Sequence, residues 1–278
     1  MATIHSSCEP APAKINLALH VRERMADGYH RIETLFAFAR DGDRLTVAPA
    51  DTLALDIEGP FAEGLSAGPD NLVLRAAETL RQTASLRSGA ALTLEKNLPI
   101  ASGIGGGSAD AAAALRLLAR FWGTDAPLEP IARALGADVP ACLVGRTVRG
   151  EGRGEALTPV AAAELSGRPL LLVNPGVAMP TGPVFAAWDG IDRGPLSSGD
   201  PLEAARAGRN DLEVPAIRLC PLIGELLAWL RAQQGAVLAR MSGSGATCFA
   251  LFDSPEHCAR AAEQARRDWS WSLETALG

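Results

Sequence analysis

Polar and apolar residues alternate in three stretches of the first half of the chain. The alternation runs through 45–47, 53–57 and 90–95. A period of two places the apolar side chains on one face of an extended chain, so each stretch is predicted to be a half-buried strand. The first two stretches are close in sequence, and we predict that they pair with each other.

Two stretches of the same half have the period of a helix. Residues 71–86 carry apolar side chains at four-residue spacing, and Asp70 or Asn71 is placed to cap the start. The second stretch, 109–122, follows a loop at 99–108 that contains four glycines. The order strand, glycine loop and helix is therefore predicted for the middle of the chain.

The second half of the chain, as its hydrophobic pattern divides it, begins near Arg168. The predicted elements are a strand at 170–173, a helix at 221–234, strands at 236–241 and 247–252, a helix at 255–268 and a strand at 269–273. This order of strands and helices is ferredoxin-like. A stretch at 189–201, rich in Gly, Pro, Ser and Asp, predicts a mobile loop. We therefore predict an α+β fold with two domains, 1–165 and 166–278.

Composition limits the classes of function. The chain has 278 residues, of which 47% are hydrophobic, and a net charge of −6. A core is expected, and the negative charge argues against binding nucleic acid or an anionic membrane through bulk charge. The sequence has neither the run of about 18 apolar residues that spans a membrane nor a secretory pattern near Met1, so a cytoplasmic location is expected. The five cysteines are scattered and are expected to be reduced.

The glycine loop is the strongest candidate for a binding site. Glycines at 103 and 105–107 let backbone amides approach a ligand, and the start of a helix favours a phosphate. The Walker A loop requires a lysine here, and the dinucleotide fingerprint requires a glycine where Ser108 stands, so neither fits. A flexible turn before the helix is the structural alternative. Asp110 is expected in the first turn, where it stabilises the helix dipole; approach to a phosphate-bound metal is its alternative role.

Lysine is rare in this chain, which makes its positions informative. Only Lys14 and Lys96 are lysines among 26 basic residues. Alternation through 12–17 puts Lys14 and Asn16 on one side, where both polar groups can face one cleft. An exposed edge strand with a solvated lysine is the alternative. Tyr29, the only tyrosine, lies in a predicted turn between two strands, and turns often carry sites.

Six segments together resemble a known family. Three of them, in fixed order, resemble the motifs of the GHMP small-molecule kinases: 12–17, 99–112 and 241–247. The last by itself indicates only a hairpin turn. Three more resemble the branch of that superfamily that acts on 4-diphosphocytidyl-2-C-methyl-D-erythritol: 26–30, 136–140 and 151–155. The resemblance spans nearly the whole chain.

The resemblance implies a fold and an activity. The fold is an N-terminal domain like the second domain of ribosomal protein S5 and a ferredoxin-like C-terminal domain, with the site between them. The activity is transfer of a phosphoryl group from ATP, with Mg²⁺, to the 2-hydroxyl of the cytidyl methylerythritol, in the non-mevalonate isoprenoid pathway. The alternatives are a related kinase acting on homoserine or mevalonate and, in another class, a non-catalytic nucleotide-binding module.

The resemblance also implies site residues. Lys14 and Asp138 match the catalytic pair, with Asp138 as the general base and Lys14 as the stabilising cation. The residues that match ATP-binding positions are Asn71, Leu72, Pro99, Ile100, Ala101, Ser102, Gly103, Ile104, Gly105, Gly106, Gly107, Ser108 and Ala109. The residues that match positions around the cytidine and its diphosphate are Asn16, Tyr29, His30 and Phe185.

Ser108 is the first candidate for a magnesium ligand. Ala109 stands where the family often has a second serine, which removes a hydroxyl without changing the glycines. Asp138, without the resemblance, would equally be expected to cap a turn after Gly136.

Overall fold

The computed structural model describes residues 7–278, which form two compact units. Unit one comprises the described part of Met1–Ala13 together with Asp41–Ile100 and Gly105–Gly145. Unit two comprises Lys14–Arg40, Ala101–Ile104 and Arg146–Gly278. The chain passes from one unit to the other several times, so the compact units do not follow the two sequence halves. The family domain limits, 1–165 and 166–278, stay a prediction.

Strands and helices follow one another along the chain. The strands are β1 Cys8–Arg24, β2 His30–Ala48, β3 Leu53–Glu58, β4 Ala90–Glu95, β5 Val148–Gly152, β6 Ala156–Pro159, β7 Pro169–Asn174, β8 Ala236–Met241, β9 Cys248–Phe252 and β10 Trp271–Ala276. The helices are α1 Leu72–Thr83, α2 Gly106–Trp122, α3 Leu128–Leu135, α4 Val139–Val144, α5 Thr181–Ala186, α6 Pro201–Ala207, α7 Glu213–Leu219, α8 Leu222–Arg231 and α9 Pro255–Asp268. Over the described range, none of these helices combines the length and the apolar character that crossing a membrane requires.

In unit one, β4 lies between β2 and β3. Residues 44–48 of β2 pair with β4 in antiparallel orientation, and β3 pairs with β4 in parallel. The predicted pairing of 45–47 with 53–57 is therefore wrong. A parallel pair needs a long crossover connection, which the segment containing α1 supplies. β4 takes the central place because its alternate side chains are buried, whereas those of β3 alternate between half-buried and exposed.

The starts of α1 and α2 test the capping predictions. Asn71 caps α1 as predicted, since its side chain accepts a hydrogen bond of 2.9 Å from the Val73 amide. α2 begins at Gly106 and not at the predicted residue 109, because Gly105 adopts a φ of 65° and the next three residues join the first turn. Asp110 consequently lies beyond the first turn, and its predicted role in stabilising the helix dipole is wrong.

The sheet of unit two has the antiparallel order β10-β7-β9-β8. With α8 and α9 this is the predicted ferredoxin-like arrangement. The bounds of β8 and α9 match the prediction, while β10 begins two residues later than predicted. The core of this unit also contains Leu19, Val21 and Ile32 from β1 and β2. All five cysteines are free thiols, as predicted.

The segment 189–200 forms neither helix nor strand, as its composition predicts, but neighbouring side chains of unit two hold it. Asp192 accepts a hydrogen bond of 2.8 Å from Arg22 Nε. The Leu196 amide donates to Glu33 Oε2 at 2.8 Å, and the Leu196 carbonyl accepts from Arg149 at 2.9 Å. The Leu196 side chain is buried. These contacts attach the segment to its neighbours, and its predicted mobility stays a prediction.

Candidate active site

The start of α2, in unit one, presents a row of backbone amides. Gly106, Gly107 and Ser108 belong to its first turn, whose N–H groups have no partner within the helix. A Cβ atom at Gly107 would contact only Leu72 Cδ1, at 3.7 Å, so the space beside this residue is open. Free amides at a helix start bind phosphate, and the glycines leave the room for it. This turn therefore has the chemistry of an anion site.

Three buried charged side chains lie next to this turn, and the sequence analysis did not predict that they contact one another. Lys96 Nζ donates to Asp110 Oδ2 at 2.7 Å and also to Asp43 Oδ2. Asp43 Oδ1 accepts from the amides of Asn97 and Leu98, at 2.6 and 2.8 Å. We call Asp43, Lys96 and Asp110 the buried triad, since none of the three side chains is more than 4% exposed. The scarcity of lysine was the one sequence signal that pointed to Lys96.

The buried triad contains two carboxyl groups and one amine. Burial raises the pKa of Asp110 to about 7, although Lys96 favours the ionised carboxylate. Burial alone lowers the pKa of Lys96, but the two carboxylates outweigh it, so the pKa of this lysine lies above its ordinary value. Asp110 Oδ1 is buried without a hydrogen-bond partner in residues 7–278. Asp110 thus pairs with Lys96 in the interior of unit one, and its alternative role beside a phosphate-bound metal stays a prediction.

In unit two, Lys14 and Asn16 are buried on β1. Lys14 is 3% exposed, which excludes the alternative of a solvated lysine on an edge strand. Lys14 Nζ donates to Asn16 Oδ1 at 2.9 Å, and Asn16 Nδ2 donates to Thr34 Oγ1 at 2.8 Å. The amine also lies 5.1 Å from the centre of the Phe36 ring. The structure thus brings the two predicted polar residues together and adds Thr34 and Phe36, which sequence reasoning missed.

The segment 101–104 of unit two packs against the turn between β8 and β9. Ser242 Oγ donates to the Gly103 carbonyl at 2.9 Å, and the Thr247 amide donates to the Ser102 carbonyl at 3.0 Å. Gly103 has a φ of 78°, and a Cβ atom there would lie 2.4 Å from the Ser242 carbonyl oxygen. Only glycine fits this close approach. The motif at 241–247 is a hairpin turn, as its sequence indicates, that also supports the glycine loop.

The predicted substrate residues of unit two include an aromatic group. The His30 ring lies 5.0 Å from the Phe185 ring and 5.7 Å from the Trp188 ring. Burial lowers the pKa of His30, and the neighbouring charge of Arg24 lowers it further. His30 therefore favours the neutral form, and Trp188 is an aromatic neighbour that the sequence analysis did not select.

Tyr29 lies in the predicted turn between β1 and β2 and is 56% exposed. The Arg153 guanidinium lies 4.0 Å from the centre of its ring and also donates to Asp27. A guanidinium over a tyrosine ring restrains the ring through cation–π attraction. Tyr29 thus presents an accessible ring whose position Arg153 restrains. Arg153 is a neighbour that the sequence did not indicate as a site residue.

The remaining predicted residues lie in unit one. Asp138 is half-buried at the N-cap position of α4, and its side chain makes no capping hydrogen bond to that helix. Its role as a general base stays a prediction. Asn71 uses both ends of its amide locally, since Oδ1 caps α1 and Nδ2 donates to the Ser66 carbonyl at 2.7 Å. Leu72 follows it as the first residue of α1, close to Gly107. The ATP contacts of Asn71 and Leu72 stay a prediction.

Comparisons with known proteins identify the family. The model described as "GHMP kinases N terminal domain" matches residues 71–146, and "GHMP kinases C terminal" matches residues 196–270. A protein of Rhizorhabdus wittichii named 4-diphosphocytidyl-2-C-methyl-D-erythritol kinase is 58% identical over 277 residues, which cover 97% of this chain and 94% of the relative. A protein of the same name from Novosphingobium aromaticivorans is 51% identical over 269 residues, which cover 97% of this chain and 92% of the relative.

Solved structures agree with these relatives. The crystal structure of a 4-(cytidine 5'-diphospho)-2C-methyl-D-erythritol kinase superposes with a TM-score of 0.81 at 38% identity, covering 98% of this chain and 99% of that one. A homoserine kinase from Cytophaga hutchinsonii superposes with a TM-score of 0.71 at 16% identity, covering 100% of this chain and 96% of that one, a likeness of fold alone. The predicted fold class and family resemblance are confirmed.

Proposed function

We propose a function from the premise that this chain belongs to the GHMP kinases and, within them, to the 4-diphosphocytidyl-2-C-methyl-D-erythritol kinases. It transfers a phosphoryl group from ATP to the 2-hydroxyl of 4-diphosphocytidyl-2-C-methyl-D-erythritol, in the non-mevalonate isoprenoid pathway. The observation that carries this function is the 58% identity over nearly the full length of both chains.

The phosphates of ATP bind the glycine loop in this proposal. The open amides of Gly106, Gly107 and Ser108 support it, because phosphoryl transfer depends mainly on positioning and on electrostatic stabilisation. The segment 99–104 and Ala109 complete the predicted loop. Asn71 and Leu72 are assigned to the adenine, and the proximity of Leu72 to Gly107 supports that assignment.

Asp138 and Lys14 perform the proposed chemistry. A hydroxyl is a poor nucleophile, and Asp138 accepts its proton as the bond to phosphorus forms. Lys14 keeps that carboxylate ionised and stabilises the negative charge that develops during transfer. The half-buried position of the Asp138 carboxylate at the start of α4 and the burial of the Lys14 amine support these roles. The pairing of the two residues comes from the family and stays a prediction.

Mg²⁺ is the second proposed cofactor. Mg²⁺ binds through few protein oxygens, substrate phosphates and water. Ser108 fits this chemistry, because it offers a hydroxyl in the same turn as the open amides. Across residues 7–278, no three His, Cys, Asp or Glu side chains come together in a way that holds a metal. The ion, when bound to the phosphates, neutralises their charge, and Ser108 is the proposed protein ligand.

The cytidyl part of the substrate binds residues of unit two in this proposal. Tyr29 offers an exposed flat ring, and base stacking contributes about 1–3 kcal/mol per base. His30 and Phe185, whose rings are 5.0 Å apart, form the second part of the cytidine and diphosphate site. Asn16 is assigned to the substrate by the family, although its amide is already engaged by Lys14 and Thr34.

The experiment that tests the function compares three acceptors. ADP release is measured with ATP and Mg²⁺ in the presence of the cytidyl methylerythritol, homoserine or mevalonate. We expect turnover with the first acceptor alone, because Tyr29, His30 and Phe185 suit a cytidine and serve no purpose for a small alcohol. Preference for homoserine or mevalonate would contradict the substrate. Binding of ATP without turnover of any acceptor would favour a non-catalytic module.

The other proposed properties follow from this activity. The proposed partner of the chain is its small-molecule substrate, and neither nucleic acid nor a membrane is a proposed partner. A cytoplasmic location agrees with the phosphorylated metabolites on which such a kinase acts.

A further inference from the structure

A chain of hydrogen bonds lies behind Lys14 in unit two. Lys14 Nζ donates to Asn16 Oδ1 at 2.9 Å, Asn16 Nδ2 donates to Thr34 Oγ1 at 2.8 Å, and Thr34 Oγ1 donates to the Ala18 carbonyl at 2.7 Å. The chain starts on β1, reaches β2 at Thr34 and returns to β1 at Ala18. It ends on the backbone, which gives the side chains a fixed point of attachment.

The chemistry of each group fixes the direction of the chain. A lysine amine has donors only, so Asn16 must turn its oxygen toward Lys14. The Ala18 carbonyl has no proton to give, so the single hydroxyl proton of Thr34 is committed to it. Thr34 can then only accept from Asn16, which requires the NH₂ group of the amide at that end. The Thr34 hydroxyl and the Lys14 amine therefore require the same orientation of the Asn16 amide, and Thr34 holds its NH₂ end.

Burial makes this arrangement hard to replace. Lys14, Asn16 and Thr34 are all buried, and Thr34 is fully so. A hydrogen bond lost in such a place leaves an unsatisfied polar group, because water is not there to replace the partner. The Phe36 ring also lies 5.1 Å from the Lys14 amine. Thr34 and Phe36 are two residues apart on one strand and so point to the same face.

We propose that Thr34 is a positioning residue for phosphoryl transfer, which acts by orienting Asn16 and through it the amine of Lys14. The inference rests on the proposed function in one respect, the role of Lys14 in stabilising the transferred group. Thr34 itself needs no contact with either substrate. Asn16, in turn, is a positioning residue as well as an assigned substrate contact.

Two substitutions separate the hydroxyl from the shape of the side chain. Thr34→Val keeps the branched shape and removes the hydroxyl, so Asn16 Nδ2 loses its acceptor and the amide is no longer held. Thr34→Ser keeps the hydroxyl and removes a methyl group. If orientation of Lys14 is the function of Thr34, the hydroxyl matters and the methyl group does not.

The first readout is steady-state kinetics. We expect Thr34→Val to lower kcat by about 10- to 100-fold, as misplacement of a catalytic group does, and to leave KM for ATP within about twofold. Thr34→Ser should stay close to the unchanged enzyme. In a Lys14→Ala background, Thr34→Val should cause no further loss, because it acts through the amine. An unchanged kcat in Thr34→Val, or an equal loss in the Lys14→Ala background, would overturn the proposal.

The second readout does not depend on activity. The chain contains two lysines, so lysine labelled with ¹³C at Cε gives two signals, and Lys14→Arg identifies the one from Lys14. We expect Thr34→Val to shift the Lys14 signal and Thr34→Ser to leave it in place. The Lys96 signal, from unit one, should stay unchanged and reports an intact fold. If Thr34→Val does not fold, Thr34→Ala is measured in the same way.

The two readouts distinguish failure of this inference from failure of the proposed function. Loss of kcat without a shift of the Lys14 signal, or a shift of both lysine signals, would overturn the positioning role and leave the proposed function standing. A shifted Lys14 signal with unchanged kcat would overturn the positioning role together with the assigned role of Lys14.

Discussion

Asp138 is the residue on which the proposed proton transfer depends. Asp138→Asn keeps the size of the side chain and removes its ability to accept a proton. We expect ATP affinity to be retained and phosphoryl transfer to fall by about 10²–10⁴-fold, the usual loss for a general base. ADP release and ATP titration measure the two effects. Turnover close to that of the unchanged enzyme would contradict the assignment.

Tyr29 is the residue that most directly tests the cytidine site. Tyr29→Ala removes the exposed ring that Arg153 restrains. Since stacking contributes about 1–3 kcal/mol per base, we expect binding of the cytidyl substrate to weaken by roughly 5- to 150-fold, with ATP affinity little changed. Titration of each ligand measures this, and Tyr29→Phe, which keeps the ring, is the matched control. Equal losses for both ligands would place Tyr29 outside the substrate site.

At the scale of elements, the buried triad joins β2, the residue after β4 and α2 within unit one. Asp110 holds a proton up to a pH of about 7 in the native protein, whereas an ordinary aspartate loses it near 3.8. Between these values the native state binds more protons than the unfolded state, so rising pH lowers the free energy of unfolding. This contribution of Asp110 is complete below pH 3.8 and is lost as the pH rises through about 7.

Asp110→Asn tests this dependence, because the amide keeps an acceptor for Lys96 and cannot ionise. We expect the free energy of unfolding of Asp110→Asn, minus that of the unchanged protein, to increase between pH 4 and 8 by at most about 1.4 kcal/mol per pH unit. Urea unfolding at several pH values measures it. Asp125→Asn, at an exposed carboxyl, is the matched control for the substitution itself. A constant or falling difference for Asp110→Asn would contradict the assignment.

The sequence predicts where each element begins and ends better than it predicts which strands pair with each other. β4, β8 and α9 lie within the predicted bounds, because their periods and flanking residues are local features. The placement of β4 between β2 and β3 depends on a parallel crossover, which neither strand records in its own sequence.

The candidate site divides in the same way, into features that belong to one strand and features that depend on the pairing of two. The alternation in 12–17 correctly placed Lys14 and Asn16 on one side, since that is a property of one strand. Thr34 could not be selected, because its contact with Asn16 depends on the pairing of β1 with β2. The start of α2 was missed because a glycine such as Gly105 is compatible with both a loop and a helix cap.

At the scale of the molecule, the two compact units do not coincide with the two halves of the sequence. Unit two needs residues 14–40, and Leu19, Val21 and Ile32 belong to its core. Burying three such side chains contributes about 5–9 kcal/mol, which is comparable to the whole stability of a domain. We therefore expect a fragment of residues 166–278 to lack a cooperative thermal transition in circular dichroism. A transition as sharp as that of the full chain would instead support folding of the predicted C-terminal domain by itself.

The distribution of the two lysines gives the protein a built-in pair of cleavage reporters. Lys14 belongs to unit two and Lys96 to unit one, and each is 3% exposed. A lysine-specific endoprotease can cut at either residue only after the surrounding structure has opened, so the rate at each bond reports the opening of one unit. Mass spectrometry of the products distinguishes the two cuts. The opening of each unit is thereby measurable in the same intact polypeptide, without attaching a probe.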